Sequence, residues 1–116
     1  MTITRKGLGV RFHQVVEAGG FVFLAGIVAN DTSGDTAAQT KDILDQIDAL
    51  LVSVGSSKAQ IVTANIWLSD IKTIGAMNTV WDVWLDKENA PVRATVESKL
   101  AAPEYLVEIQ VKAFKG

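Results

Sequence analysis

The sequence predicts an α+β fold, a two-layer sandwich in which two helices cover one face of a mixed β-sheet. Helical stripes near residues 36–54 and 70–85 alternate with segments of strand period, giving the order ββαβαββ. A length of 116 residues leaves room for one core and little for a second. With no repeat, low-complexity tract or linker in the chain, residues 1–116 read as a single domain.

The first strand is predicted over 10–17, VRFHQVVE, and Gly19-Gly20 supplies a tight hairpin that needs positive φ. The return strand, FVFLAGIVA at 21–29, is apolar almost throughout and is expected to be covered on both faces. Gly26 lies inside it, where glycine often marks a close backbone approach. After the loop NDTSGD at 30–35, Thr36 with Gln39 fits a capping box. The helix it opens carries Ile43, Ile47, Leu50 and Val54 on one stripe, widened by Leu44 and Leu51, and ends at Gly55.

A third strand is predicted over 60–70, with Val62, Ala64, Ile66 and Leu68 on one face. Ser69 or Asp70 then caps a second helix with Ile74, Met77, Trp81 and Leu85 inward, Trp84 lying beside that stripe. The last two strands, 91–98 and 106–114, join through a turn around Pro103. In the first of them Val92, Ala94 and Val96 form the apolar side suited to helices, opposite Arg93, Thr95 and Glu97. In the second, Val107, Ile109, Val111 and Ala113 form that side and Glu108 falls on the other. The remaining sheet face would be bare in a monomer, so self-association is expected.

Composition narrows the function. The apolar fraction is 48% and the mean hydropathy +0.23. A formal charge of −2, a pI near 5.3 and no basic cluster argue against a nucleic-acid partner. Cysteine is absent, which removes thiol chemistry and cysteine metal sites. No apolar run approaches the roughly 18 residues of a membrane span, and the start, MTITRKGLGVRF, lacks a secretory pattern. A cytoplasmic protein without membrane association is the expectation.

Arg93 is the strongest single candidate, because a guanidinium holds a carboxylate bidentately and fixes its orientation, although a solvated or salt-bridged arginine is the plainer use. Glu108, between Val107 and Ile109, can orient water or move a proton, or else pair with Lys112. Asn78 can bond across a cleft or lie on an ordinary helix surface. His13 is the single histidine, which excludes a histidine-rich metal centre, and no carboxylate spacing suggests a metal site. Neither a serine-hydrolase elbow nor a phosphate-binding glycine loop is present. The tryptophans at 67, 81 and 84 suit core or interface positions.

Taken together, FVFLAG at 21–26, AAQTKDILDQIDALLVSVG at 37–55, MNTVW at 77–81 and PVRATVE with LVEI between 91 and 109 resemble the RidA (reactive intermediate deaminase) family. The likeness runs in order from about residue 10 to residue 114. It implies a chorismate-mutase-like fold assembled as a homotrimer with sites between subunits. It also implies hydrolysis of small 2-imino acids, the tautomers of enamines, to 2-oxo acids and ammonia, with no cofactor and no metal. By this resemblance Arg93 clamps the substrate carboxylate and Glu108 positions water or handles the proton. Backbone at Gly26 and around Thr95 touches the ligand, and Asn78 lies in the cleft. Phe12 stands at the substrate-facing position of a family tyrosine, Thr95 where many members have cysteine, and Ala25 where a serine precedes the glycine. Noncatalytic sensing of a small carboxylic metabolite through the same clamp is the alternative, and a chaperone-like trimer is a third reading.

Overall fold

The computed structural model describes residues 2–116. Among them the chain forms β1 (Ile3–Leu8), β2 (His13–Ala18), β3 (Phe21–Leu24), β4 (Ile27–Val28), α1 (Thr36–Ser53), β5 (Ile61–Leu68), α2 (Ile74–Trp84), β6 (Val92–Glu97) and β7 (Val107–Phe114). The strands make one mixed sheet in the order β1-β2-β3-β7-β5-β6, with β4 also paired to β7. Only β5 and β6 run parallel as neighbours, joined by α2, as a crossover connection requires. The α+β fold with two helices and a mixed sheet is therefore the predicted one, with two additions to the strand order.

The first addition is β1, which pairs antiparallel with β2. Its sequence, ITRKGL, has no apolar alternation and every residue is exposed, so the strand exists through its ladder bonds rather than through burial. The second is the division of 21–29 into β3 and β4. Coverage of that stretch on both faces is also corrected: Val22 and Leu24 are buried, whereas Phe21 and Phe23 are exposed in the single chain. Gly19 and Gly20 have φ of 61° and 83°, as the predicted hairpin needs.

The core lies between the sheet and the helices. Ile43, Leu44, Ile47 and Leu51 of α1 and Met77 and Trp81 of α2 meet Ala64, Ile66, Leu68, Val107, Ile109 and Val111. A register shift between Ile61 and Thr63 turns Val62 outward and buries Ile61 in its place, correcting the predicted face at that end of β5. The sidedness of β6 is corrected too. Arg93, Thr95 and Glu97 pair with Ala64, Ile66 and Leu68, so they share the helix-facing side. Glu97 confirms it by accepting from the Ile71 N–H at 3.1 Å, in the turn before α2. Val92 and Val96 project from the open face instead, 72% and 49% exposed.

The start of α1 also differs from the expected capping box. Asp35 is the N-cap and accepts from the Ala38 N–H at 2.9 Å. Gln39 is fully buried and reaches away from the helix: its Nε2 donates to Glu104 O at 3.0 Å and its Oε1 accepts from Leu106 N–H at 3.0 Å. Asp70 caps a single 3₁₀ turn over 71–73, and α2 follows from Ile74.

Asp42 ties the 30–35 loop to α1, accepting from the N–H groups of Asn30 and Asp31 at 3.1 Å each and from Gln46 Nε2 at 2.7 Å. Partial burial pushes its carboxyl up, but these donors outweigh that and hold it below the usual aspartate range. A carboxylate lowered in the folded state stabilises the fold above its unfolded-chain value, and the contribution is lost as pH falls toward the folded-state value. Asp42→Ala should therefore lower stability by about 1 kcal/mol near neutral pH, solvent screening limiting the effect. The deficit should shrink as pH falls below the unfolded-chain aspartate value of about 3.9. Thermal melts of both proteins on either side of that value check this, and a deficit independent of pH would contradict it.

Candidate active site

The break between β3 and β4 builds one half of the site. β3 pairs with β7 at residues 112–114 and β4 pairs with it at 108–109, leaving Ala25 and Gly26 between them outside either strand. Ala25 N–H donates to Gln14 O at 3.0 Å, which keeps this short segment against β2. The Glu108 side chain lies directly over Gly26, where a Cβ would run into its carboxylate. Glycine is thus required by close approach, as the sequence predicts. Gly26→Ala should push the Glu108 carboxylate out of this position with little loss of stability, which a crystal structure and a thermal melt of the variant check. A Glu108 side chain left in place in that variant would contradict it.

Glu108 opens onto a cleft of ≈ 690 Å³ on the sheet face away from the helices. Phe12, Phe23, Tyr105 and Gln110 contribute to its walls, together with Gly26. Gln110 Nε2 donates to Leu24 O at 3.2 Å, bracing the β3 end. Among the described residues the Glu108 carboxylate has no ion-pair partner, Lys112 included. A free carboxylate between aromatic walls is suited to holding a water or accepting a proton. Phe12 is 63% exposed at the rim of the cleft, as a ligand-facing or partner-facing ring must be.

The other half of the site lies on the opposite side of the sheet. Arg93, on the edge strand β6, donates from NH1 to Asn78 Oδ1 at 2.9 Å, and its guanidinium carbon stands 5.3 Å from the centre of the Trp81 ring. Asn78 and Trp81 are one helical turn apart on α2, so a single helix face orients the guanidinium. Among the described residues Arg93 has no carboxylate partner and is exposed. The Thr95 hydroxyl is buried and lacks a hydrogen-bond partner among those residues. It stands two residues along the same face of β6.

Sheet register separates the two halves. Arg93 lies in the row with Ala64 and Val111, which face the helices, whereas Glu108 lies with Trp67 and Val96 on the open side. Phe12, Gly26 and Glu108 therefore come together in one chain, as do Arg93 and Asn78 near Thr95, but the two groups do not meet within it. His13 also lines the Glu108 cleft, and among the described residues no group of three or more His, Cys, Asp or Glu side chains could hold a metal ion. Residues that periodicity could not reveal are Tyr105, on the cleft wall, and Gln39, which fixes the chain on either side of it. Trp81 reads as core, and the spacing of four from Met77 gives no sign of its second use beneath Arg93.

Comparisons with known proteins cover this whole arrangement. The family model described as Endoribonuclease L-PSP matches residues 5–115. A RutC family protein of Haemophilus influenzae is 42% identical over 114 residues, covering 97% of this chain and 98% of its own. RutC family protein YoaB of Escherichia coli is 40% identical over 113 residues, with coverage of 97% and 98%. Among solved structures, a YjgF family member from Neisseria meningitidis aligns with a TM-score of 0.95 at 44% identity, covering 100% of this chain and 97% of that one.

Proposed function

The chain belongs to the RidA-type family, whose members carry the descriptions L-PSP, RutC and YjgF, and from that membership we propose that it hydrolyses small reactive 2-imino acids to 2-oxo acids and ammonia. The observation that supports this reading best is the unpaired Glu108 carboxylate, seated over Gly26 in an apolar-walled cleft. The site is completed between subunits of a homotrimer. Arg93 of one subunit, held by Asn78 and Trp81, supplies the carboxylate clamp to a neighbour's Glu108 cleft. Exposed Phe21, Phe23, Val92 and Val96 make the open sheet face suitable for covering by other copies.

The chemistry needs only positioning and proton transfer. A protonated imine carbon is electrophilic. Water oxygen adds to it while Glu108 takes one water proton, giving a tetrahedral amino alcohol. Glu108 returns that proton to nitrogen, the C–N bond breaks, and ammonia leaves as the carbonyl of the 2-oxo acid forms. The remaining hydroxyl proton is lost to water. Arg93 holds the carboxylate so that the imine carbon faces the water. RNA cleavage suits this surface less well, since the chain carries a formal charge of −2 and phosphate-backbone binding draws on cationic contacts.

The test measures 2-oxo acid and ammonia released from 2-imino acids generated in the assay by an amino-acid oxidase. The parent protein is expected to exceed the uncatalysed rate, and Glu108→Gln to lose at least about 100-fold while still binding the 2-oxo acid. A parent protein that binds 2-oxo acids but never exceeds the uncatalysed rate would overturn hydrolysis and leave metabolite sensing as the function.

A further inference from the structure

Tyr105 is the only tyrosine in the chain. It stands at a boundary: its side lines the Glu108 cleft, and together with Ala101 it also lines a second cleft of ≈ 400 Å³ formed by Ser69, Lys99, Leu100, Ala102 and Pro103. The two clefts therefore share a wall made of one small residue and one aromatic ring. The second cleft is floored by aliphatic and proline carbon, with Lys99 as its cationic member.

The wall is held firmly. Gln39, fully buried, bonds to Glu104 O and Leu106 N–H, the residues immediately before and after Tyr105. Leu106 O accepts from Ser69 N–H at 3.1 Å, and Tyr105 N–H donates to Ala102 O at 3.2 Å. Four hydrogen bonds thus fix the backbone around one half-buried ring in a segment with no strand or helix of its own. No hydrogen bond engages the Tyr105 hydroxyl among the described residues, so the ring's position is set from its backbone end. The buried glutamine, hydrogen-bonded at both ends of its amide, ties this loop to α1 across 65 residues of sequence.

We propose that Tyr105 is the specificity-determining wall of this site: its ring closes the Glu108 cleft off from the second cleft and sets the length of side chain the substrate can carry, with Gln39 as the positioning residue that holds it. The inference deepens the deaminase reading and rests on it for the identity of the substrate as a 2-imino acid. Removing the ring joins the two clefts and gives a longer apolar side chain somewhere to go. Selectivity in apolar pockets changes by roughly 10-fold or more per methylene accommodated.

The experiment compares the parent with Tyr105→Ala, Tyr105→Leu and Tyr105→Phe on 2-imino acids whose unbranched side chains lengthen from one to five carbons. Binding of the corresponding 2-oxo acids is measured in parallel by calorimetry, and thermal melts identify any variant that fails to fold. Expected is a shift of about 10-fold or more in the ratio of long to short kcat/KM for Tyr105→Ala. Tyr105→Leu should shift less, Tyr105→Phe less than about 2-fold, and 2-oxo acid affinities should follow the same order. An unchanged ratio in folded Tyr105→Ala and Tyr105→Leu overturns the wall, as does a shift in Tyr105→Phe equal to that in Tyr105→Ala. Should the parent turn over no imine while the affinity order still shifts as expected, the hydrolytic reading falls and the wall stands.

Discussion

Co-assembled Arg93→Ala and Glu108→Gln subunits are expected to regain about a quarter of the parent activity, although each variant alone should lose about 100-fold or more in kcat/KM. The expectation follows from the sheet. Arg93 projects with Ala64 toward the helices, and Glu108 projects with Trp67 from the open face, so one chain cannot bring both to the same ligand. If every site draws its arginine from one subunit and its glutamate from the next, half the arginine donors in an equal mixture are intact. Independently, half the glutamate donors are intact, and their product is about one quarter. Refolding the two variants together at equal concentration and assaying 2-oxo acid release measures it. Were both residues to act within one subunit, every chain in the mixture would lack one of them, and verified mixed oligomers would stay as inactive as their parents.

Gln39→Leu is expected to cost about 3 kcal/mol of stability. Leucine matches the volume but makes none of the glutamine's bonds to Glu104 O, Leu106 N–H and the more distant Thr32 O. Those backbone groups then lose their partner beside a fully buried side chain. Urea unfolding at a fixed protein concentration reads the change, the fixed concentration being needed wherever assembly contributes to stability. A loss under about 1 kcal/mol would mean that the loop finds other partners without strain.

The fold was legible where burial has a period. The α1 stripe and the alternation along β7 give both elements their buried faces, and the isolated Gly26 marks the place where Glu108 crosses the backbone. β1 was not legible because an exposed ladder strand needs no apolar alternation. Alternation along β6 gives its faces exchanged, because it tells that two sides differ, not which one meets the helices. On this edge strand the helix side holds Arg93 against Asn78 and Trp81, so the polar residues point inward and the valines outward.

The site divides in the same way. Residue chemistry and family likeness single out Arg93, Glu108, Gly26 and Asn78, but their separation onto two sheet faces is a matter of register between strands distant in sequence. Gln39 and Tyr105 escaped for a related reason. The glutamine's partners are 65 and 67 residues away, and the tyrosine belongs to a segment with no period to interrupt.

Among the described residues the sheet ends in two unclosed edges, β1 and β6, and each carries charged side chains: Arg5 and Lys6 on one, Arg93 and Glu97 on the other. Free ladder groups along an edge invite another chain to add itself as the next strand, and charged side chains along it oppose that addition, because pairing would strip them of water. Such edges disfavour stacking of copies edge to edge into open-ended fibres. The arginine held by Asn78 and Trp81 thus has a second consequence, the protection of the strand that carries it.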